Sequence, residues 1–180
     1  MQLSIRASLA IHCLILVSEF GETDKITSEK IALSTGTNPV AIRSIMSALK
    51  KDGILNVKNG TGGTTLNMPP EEITVYRICN AVKPQFCKNI FHVHTKASKL
   101  CPVGRNIRAV LQHSYSKFES ALEDSLKTVT LADMIRDYHM QIEKEKLSLS
   151  VGFVKKRKIF YNKKWNKDVA SGLRSASVVA

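Results

Sequence analysis

The sequence lacks the features of several common protein classes. It has no apolar run long enough to span a bilayer, and the apolar stretch at residues 7–17 contains His12 and has neither a basic leader nor a small-residue cleavage site. The four cysteines form no C-x-x-C pair and no small-domain disulfide framework. We therefore expect a soluble, cytoplasmic protein with reduced thiols and no membrane partner.

The sequence also lacks the residue patterns of an enzyme site. No set of nucleophile, base and acid stands out. The glycine-rich segment at residues 60–63 lies between two predicted strands, whereas a phosphate-binding loop opens a helix. We therefore expect no catalytic activity.

Acidic residues are scarce relative to basic ones. There are 15 Asp and Glu against 27 Lys and Arg, which gives a formal charge of +12. Residues 151–180 hold eight of the basic residues and one aspartate, a charge of +7, which leaves +5 for the rest of the chain. Aromatic residues alternate with these lysines, a mixture that suits phosphate contact and base stacking, although a solvated basic extension has the same composition. The charge predicts attraction to a polyanion, either nucleic acid or an anionic membrane surface.

Two short helices separated by a glycine turn are predicted between residues 26 and 53. Thr27 suits the N-cap of the first helix, and Gly36 suits the turn. Asn38 and Pro39 suit the N-cap and first turn of the second helix, which is predicted to end at Gly53. The second helix carries an apolar face with the spacing i, i+3, i+4, i+7, formed by Ile42, Ile45, Met46 and Leu49.

A glycine-rich hairpin is predicted after these helices, with strands at residues 54–57 and 64–66. Two helices followed by such a hairpin form a winged helix-turn-helix, a shape that enters a DNA groove. Short helix pairs with a glycine turn also occur in plain helical domains, but the hairpin and the charge favour DNA binding. The groups that can bond phosphates and base edges are Asn38, Arg43, Ser44, Ser47, Lys50 and Lys51.

Further helices are predicted on both sides of this motif, at residues 3–20, from a cap at Thr74 until Pro84, at residues 102–127 and at residues 130–146. We therefore predict a mainly α fold with a small β wing. Residues 1–82 are predicted to form the winged helix-turn-helix domain, residues 83–150 a linker and dimerisation helices, and residues 151–180 a basic C-terminal extension.

The helix predicted at residues 102–127 carries a long apolar stripe. The small domain alone cannot cover a stripe of this length, so a second copy of the same helix is the expected partner. The alternative is a helix that folds back over its own domain. The predicted dimerisation residues are Ile107, Val110, Leu111, Phe118, Leu122 and Leu126.

Cys101 is the cysteine whose position in the sequence suggests a reactive thiol. It precedes Pro102 at the start of the long helix, where the free N–H groups and the positive helix end stabilise a thiolate. Cys101, alone or joined to Cys87, is therefore a candidate thiol switch, and a structural turn with a neutral thiol is the alternative. Cys13 and Cys79 fall within apolar faces and are predicted to be buried and inert.

Over about residues 2–137 the chain resembles the Rrf-type winged-helix repressors of bacteria. The resemblance is carried by Met-Gln-Leu-Ser at the start, by the Gly-rich wing within residues 54–66 and by Pro-Pro-Glu-Glu-Ile-Thr at residues 69–74. Three further segments resemble one subgroup: Asn-Pro-Val at 38–40, Ile-Phe-His-Val-His at 90–94 and Leu-Cys-Pro-Val-Gly-Arg-Asn-Ile at 100–107. The resemblance implies a homodimer on a partly palindromic operator, with the second helix in the major groove and the wing along the minor groove.

The resemblance also implies which positions contact the DNA duplex. Where the family has a wing arginine this chain has Asn59, and Thr64-Thr65 replaces tyrosine-arginine, so the resemblance does not extend to minor-groove reading through an arginine. It implies contacts at Asn38, Pro39, Val40, Arg43 and Ser44 in the recognition helix and at Lys58, Asn59, Gly60 and Gly62 in the wing. Lys50 is a further predicted contact because it lies outside the apolar face of that helix.

Cluster-binding members of this family have three closely spaced cysteines after the Glu-Glu-Ile-Thr helix. This chain has only Cys87 and Cys101 there, with thirteen residues between them. His92, His94 or His113 could complete a ligand set, as could Cys79 if it turned outward. We therefore predict a DNA-binding transcriptional regulator without a cofactor. The alternatives are a protein-interaction module acting through a partner protein, and an iron–sulfur or metal sensor.

Overall fold

The computed structural model describes residues 5–57, 63–88 and 90–151, with side chains as far as Lys146. Within the described part, no helix combines the length and the apolarity that crossing a membrane requires. The predicted basic extension lies almost entirely outside the described residues. The elements are α1 (Ile5–Phe20), α2 (Ser28–Thr35), α3 (Pro39–Lys51), β1 (Leu55–Val57), β2 (Thr64–Leu66), a short 3-10 turn (Pro70–Glu72), α4 (Val75–Val82), α5 (Pro102–Thr128) and α6 (Leu131–Val151).

The boundaries of α2 and α3 follow from local capping chemistry. The Thr27 hydroxyl accepts a hydrogen bond from the Lys30 N–H, so α2 begins where its sequence predicts. Gly36 adopts the left-handed conformation at φ 64°, which a residue with a Cβ rarely adopts. The Asn38 carboxamide oxygen accepts from the backbone N–H of Val40 at 2.8 Å and begins α3. The predicted helix-turn-helix is confirmed.

The wing is a two-stranded antiparallel sheet in which Leu55 pairs with Leu66 and Val57 pairs with Thr64. The buried Thr64 hydroxyl donates to the carbonyl oxygen of Ile26 at 3.2 Å, and this bond fastens the hairpin to the segment before α2. The hairpin is thereby held beside the helix pair, as a winged helix requires.

The hydrophobic core lies between α1, α3 and α4, with Ile26 and the wing base at its edge. The predicted apolar face of α3 is confirmed, since Ile42, Ile45 and Leu49 are fully buried. Cys13 and Cys79 are buried as predicted, and burial raises the pKa of their thiols to about 12 and about 11. The mainly α fold with a small β wing is confirmed.

The junction between α5 and α6 packs against the core. The Val75 N–H donates to the Val129 carbonyl at 2.8 Å, and the Leu131 N–H donates to the Ile73 carbonyl at 2.8 Å. Leu131 is fully buried in the same core as α1 and α4. The core therefore extends past residue 82, which the sequence predicts as the end of the winged helix-turn-helix domain.

Candidate nucleic-acid interface

One exposed face of α3 carries the side chains predicted to contact DNA. Val40 is 64% exposed, and Arg43, Ser44, Ser47 and Lys50 are exposed along the same side of the helix. The opposite side faces the core, because the helix repeats about every 3.6 residues. Helix α3 is therefore fixed through its apolar face and leaves its polar face accessible.

Arg43 is held by the first turn of α2. Its guanidinium Nη2 donates to Glu29 Oε1 at 2.7 Å, and its Nε donates to Ser28 Oγ at 3.2 Å. The Arg43 hydrogen bond is the main reason that the pKa of the Glu29 carboxyl is lowered to about 2. The Arg43 side chain nevertheless remains 58% exposed, so a ligand can still reach it.

Sequence reasoning did not identify Arg6 as part of this surface. Its Nη2 donates to Ser44 Oγ at 3.2 Å, which brings a cation from α1 to the recognition helix. Arg6 and Ser44 are 38 residues apart, and no periodicity or spacing links them. Only the packing of α1 on α3 brings them together.

A groove of about 460 Å³ runs between α3, the start of α2 and the base of the wing. Lys25, Arg43 and Lys50 line it, together with the acidic Glu29. Lys50 Nζ also donates to the Val57 carbonyl at 3.4 Å and so ties the recognition helix to β1. Three cations around one groove attract phosphate oxygens.

The predicted wing contacts Lys58, Asn59, Gly60 and Gly62 lie outside the described residues. The structure describes the wing as far as Val57 on one strand and from Gly63 on the other. These four positions therefore stay predictions.

The C-terminal end of the recognition helix is fastened to α4. Arg77 Nε donates to Asp52 Oδ2 at 2.7 Å, and its Nη2 donates to the Asp52 carbonyl at 2.7 Å. Asp52 is the C-cap residue of α3. These bonds, the Asn38 cap and the buried apolar face fix α3 at both ends and along its length.

Helix α5 carries the six residues predicted for dimerisation, of which Val110 and Phe118 are exposed and Ile107, Leu111, Leu122 and Leu126 are half-buried. No side chain of this fully described helix is buried, and Val103, Val110 and Phe118 are 68%, 59% and 53% exposed. Leu126 is different, because it packs partly against the core of its own chain. The exposed apolar residues of α5 therefore lie between Val103 and Phe118, before the end of the helix that packs on the core.

An aromatic cluster lies in the middle of α5. Phe91, from the segment before the helix, stacks on Tyr115 with 5.1 Å between ring centroids and meets Phe118 edge-on at 5.8 Å. The Ile90 N–H donates to Glu119 Oε1 at 2.8 Å in the same region. The segment after α4 is therefore anchored on α5.

The two cysteines predicted as a thiol switch lie far apart. Cys101 is the exposed N-cap residue of α5. Cys87 is buried, and burial together with the charges of Glu123 and Glu119 raises the pKa of its thiol. Glu119 lies eighteen positions after Cys101 on one continuous helix, about 27 Å along its axis at 1.5 Å per residue.

Cys87 and Cys101 of one chain therefore cannot form a disulfide in this conformation, since bridged Cα atoms lie within about 7 Å of each other. Metal binding meets a similar obstacle. Among the described residues, no three His, Cys, Asp or Glu side chains converge in a way that could hold a metal ion.

Comparison with known proteins is consistent with this geometry. Residues 3–137 match the Rrf2 family, described as iron-dependent transcriptional regulators. A Bacillus subtilis (strain 168) protein named "Putative HTH-type transcriptional regulator YwnA" is 35% identical over 130 residues, which cover 72% of this chain and 94% of that protein. A solved structure of a "putative DNA binding protein" is 33% identical, with a TM-score of 0.58, and covers 72% of this chain and 98% of that one.

The structure of CymR, the global cysteine regulator of B. subtilis, has a TM-score of 0.56 at 15% identity and covers 76% of this chain and 97% of that one. At that identity the likeness concerns the fold alone. The iron named in the family description does not fit the described residues. Cys101 caps the start of α5, Cys87 lies beside Glu119 and Glu123 further along that helix, and no third ligand joins either cysteine.

The family and the B. subtilis relative are regulators of transcription and not enzymes. The family match spans most of the chain and includes the helix pair, the wing strands and α5. The chain therefore belongs to the Rrf2 family of DNA-binding transcriptional regulators.

Proposed function

We propose that this protein is a cytoplasmic repressor that binds a partly palindromic operator as a homodimer. The observation that carries the proposal is the groove lined by Lys25, Arg43 and Lys50 beside the exposed face of α3. An α-helix fits the major groove of B-form DNA, and cations at its flanks neutralise phosphates. A protein bound over a promoter excludes other proteins from the same bases, which is the simplest route to repression.

The exposed stripe of α5 supports the homodimer. Val103, Val110 and Phe118 recur at intervals of seven and eight residues, so they share one side of the helix. An apolar face of this kind is stable in water when a second copy covers it. A symmetric pair of winged domains reads two half-sites related by a two-fold axis, so the operator is expected to be partly palindromic.

Cys101 is the proposed entry point for a thiol signal. It is exposed and lies at the start of the helix that carries the proposed dimer face, whereas Cys87 is buried with a raised pKa. Hydrogen peroxide oxidises a thiolate to a sulfenic acid and is itself reduced to water. Mild peroxide should then weaken DNA binding of the wild type and leave Cys101→Ser unaffected. Equal losses in both proteins would assign the cysteine a structural role.

The proposed function is tested by selecting duplexes from random-sequence DNA with the full-length chain and measuring their affinity by electrophoretic shift. We expect an enriched motif with two related half-sites, and we expect a duplex with one half-site scrambled to bind at least about tenfold more weakly. Failure to enrich any sequence would overturn the proposal and favour a protein-interaction module that acts through a partner protein.

A further inference from the structure

Arg43, on the face of α3 proposed to bind DNA, is hydrogen-bonded to two side chains of α2. Glu29 Oε1 lies 2.7 Å from its Nη2, and Ser28 Oγ lies 3.2 Å from its Nε. Ser28 also donates to Glu29 Oε1 at 3.1 Å, so the three side chains form one closed set of hydrogen bonds. The guanidinium is therefore oriented before any DNA arrives.

This set of bonds has two physical consequences for DNA binding. A guanidinium fixed through two of its nitrogens loses less side-chain freedom when its remaining N–H groups bond a base edge. A carboxylate at 2.7 Å also offsets its positive charge, which weakens its attraction to any phosphate. The first effect favours a particular sequence, and the second disfavours binding to DNA in general.

We propose that Glu29 is a positioning residue that sets the sequence selectivity of the regulator by orienting Arg43. The proposal rests on the proposed DNA-binding function and adds a residue outside the recognition helix to it. Glu29 lines the same groove as Arg43 and Lys50, so its charge acts where the phosphates are expected. Its carboxyl is ionised at neutral pH, and the Arg43 hydrogen bond lowers its pKa further, from 4.5 to about 2.

The test is a double-mutant cycle with the full-length chain: wild type, Glu29→Gln, Arg43→Ala and the double variant. Each protein is titrated with a duplex that the wild type selects from random DNA and with a scrambled duplex of equal length and composition. The readout is the ratio of the two affinities. Both duplexes carry the same phosphates, so a general change of charge cancels in the ratio.

We expect Glu29→Gln to tighten binding to the scrambled duplex and to lower the affinity ratio by about tenfold. In the Arg43→Ala background the same substitution should leave the ratio unchanged, because the side chain that Glu29 orients is absent. Glu22→Gln is the matched control: it removes an exposed carboxylate from the same domain and should leave the ratio at the wild-type value.

Glu29 also lies in the first turn of α2, where an acidic side chain stabilises a helix, so thermal unfolding of each variant is measured first. If Glu29→Gln does not fold, Glu29→Asp replaces it. Aspartate keeps the charge but is one methylene shorter, so it should also lower the ratio.

A folded variant with an unchanged ratio would contradict the positioning role, and so would a ratio that falls equally with and without Arg43. Failure of the wild type to select any sequence would instead overturn the proposed function. The two results are therefore distinguishable.

Discussion

At the scale of single residues, the cations of the interface differ in how they are held. Arg43 is fixed by the first turn of α2, whereas Lys50 reaches the wing through one bond of 3.4 Å to a backbone carbonyl. A planar guanidinium can form two parallel hydrogen bonds with a guanine edge, and an ammonium on a flexible stem acts mainly as a point charge. The two side chains should therefore contribute differently to specificity.

Replacing these side chains separately tests that difference. Arg43→Ala should reduce discrimination between the selected and the scrambled duplex by about 1–3 kcal/mol. Lys50→Ala should weaken binding to both duplexes by similar factors and make the salt dependence shallower. Fluorescence anisotropy titrations with both duplexes measure this, and equal losses for Arg43→Ala would make Arg43 a phosphate contact.

The ion pair of Glu29 also makes a prediction about pH. The folded-state pKa of about 2 lies below the ordinary value of 4.5, so the pair contributes stability that is present above pH 4.5 and is lost as the pH falls toward about 2. A carboxyl titration followed by NMR should show the depressed midpoint in the wild type. Arg43→Ala should raise that midpoint toward 4.5, and an unchanged midpoint would mean that the pair does not form in solution.

At the scale of elements, Asn38 caps the N-terminus of α3 and is also a proposed DNA contact. Asn38→Ala should lower the free energy of unfolding by about 1 kcal/mol, because it removes the acceptor for the Val40 N–H. Asn38→Asp keeps that acceptor, so stability should stay near the wild-type value. Its negative charge at the DNA face should nevertheless weaken DNA binding. Denaturant unfolding and anisotropy measured together separate the roles, and loss of stability in Asn38→Asp would contradict this division.

The exposed stripe of α5 makes a prediction about assembly. Val110→Glu should convert the proposed dimer into monomers, because a carboxylate buried between the two helices would lose solvation without gaining a partner. Val110 suits this test better than Phe118, which packs on Phe91 and Tyr115 of its own chain. Gln112→Glu adds a charge at a nearby exposed position and should leave the dimer intact. Light scattering that finds both variants dimeric would mean that the stripe does not form the interface.

Elements governed by local chemistry could be predicted from the sequence. Thr27, Gly36 and Asn38 act through bonds within a few residues, and the apolar face of α3 follows from helical periodicity, so these features match the structure. The contacts of Arg43 with Glu29 and of Arg6 with Ser44 join residues 14 and 38 positions apart. They depend on how the helices pack, which no local pattern encodes.

The contact of α6 with the core likewise depends on how the helices pack and not on a local sequence pattern. Leu131 is buried, and its backbone N–H donates to the carbonyl of Ile73 before α4. The residues next to Leu131 in the sequence do not indicate that contact. The disulfide between Cys87 and Cys101 that the sequence allows cannot form within one chain. Cys101 lies at the start of α5, whereas Cys87 lies beside Glu119 and Glu123, much further along that helix.

At the scale of the whole molecule, we propose a basic dimer that is attracted to DNA by its charge and guided to its operator by α3. The described domain supplies Lys25 and Lys50 to one groove beside the Arg43–Glu29 pair, and two copies double that number. Releasing the counterions of on the order of 6–10 phosphates makes binding steeply dependent on salt.

The most direct test of this central claim is the affinity and stoichiometry of the full-length chain on its selected duplex, measured in a salt series by sedimentation. We predict two chains per duplex and a loss of affinity of roughly a thousandfold or more as the salt rises from 50 to 200 mM. An affinity that is flat across the series, or one chain per duplex, would contradict the account.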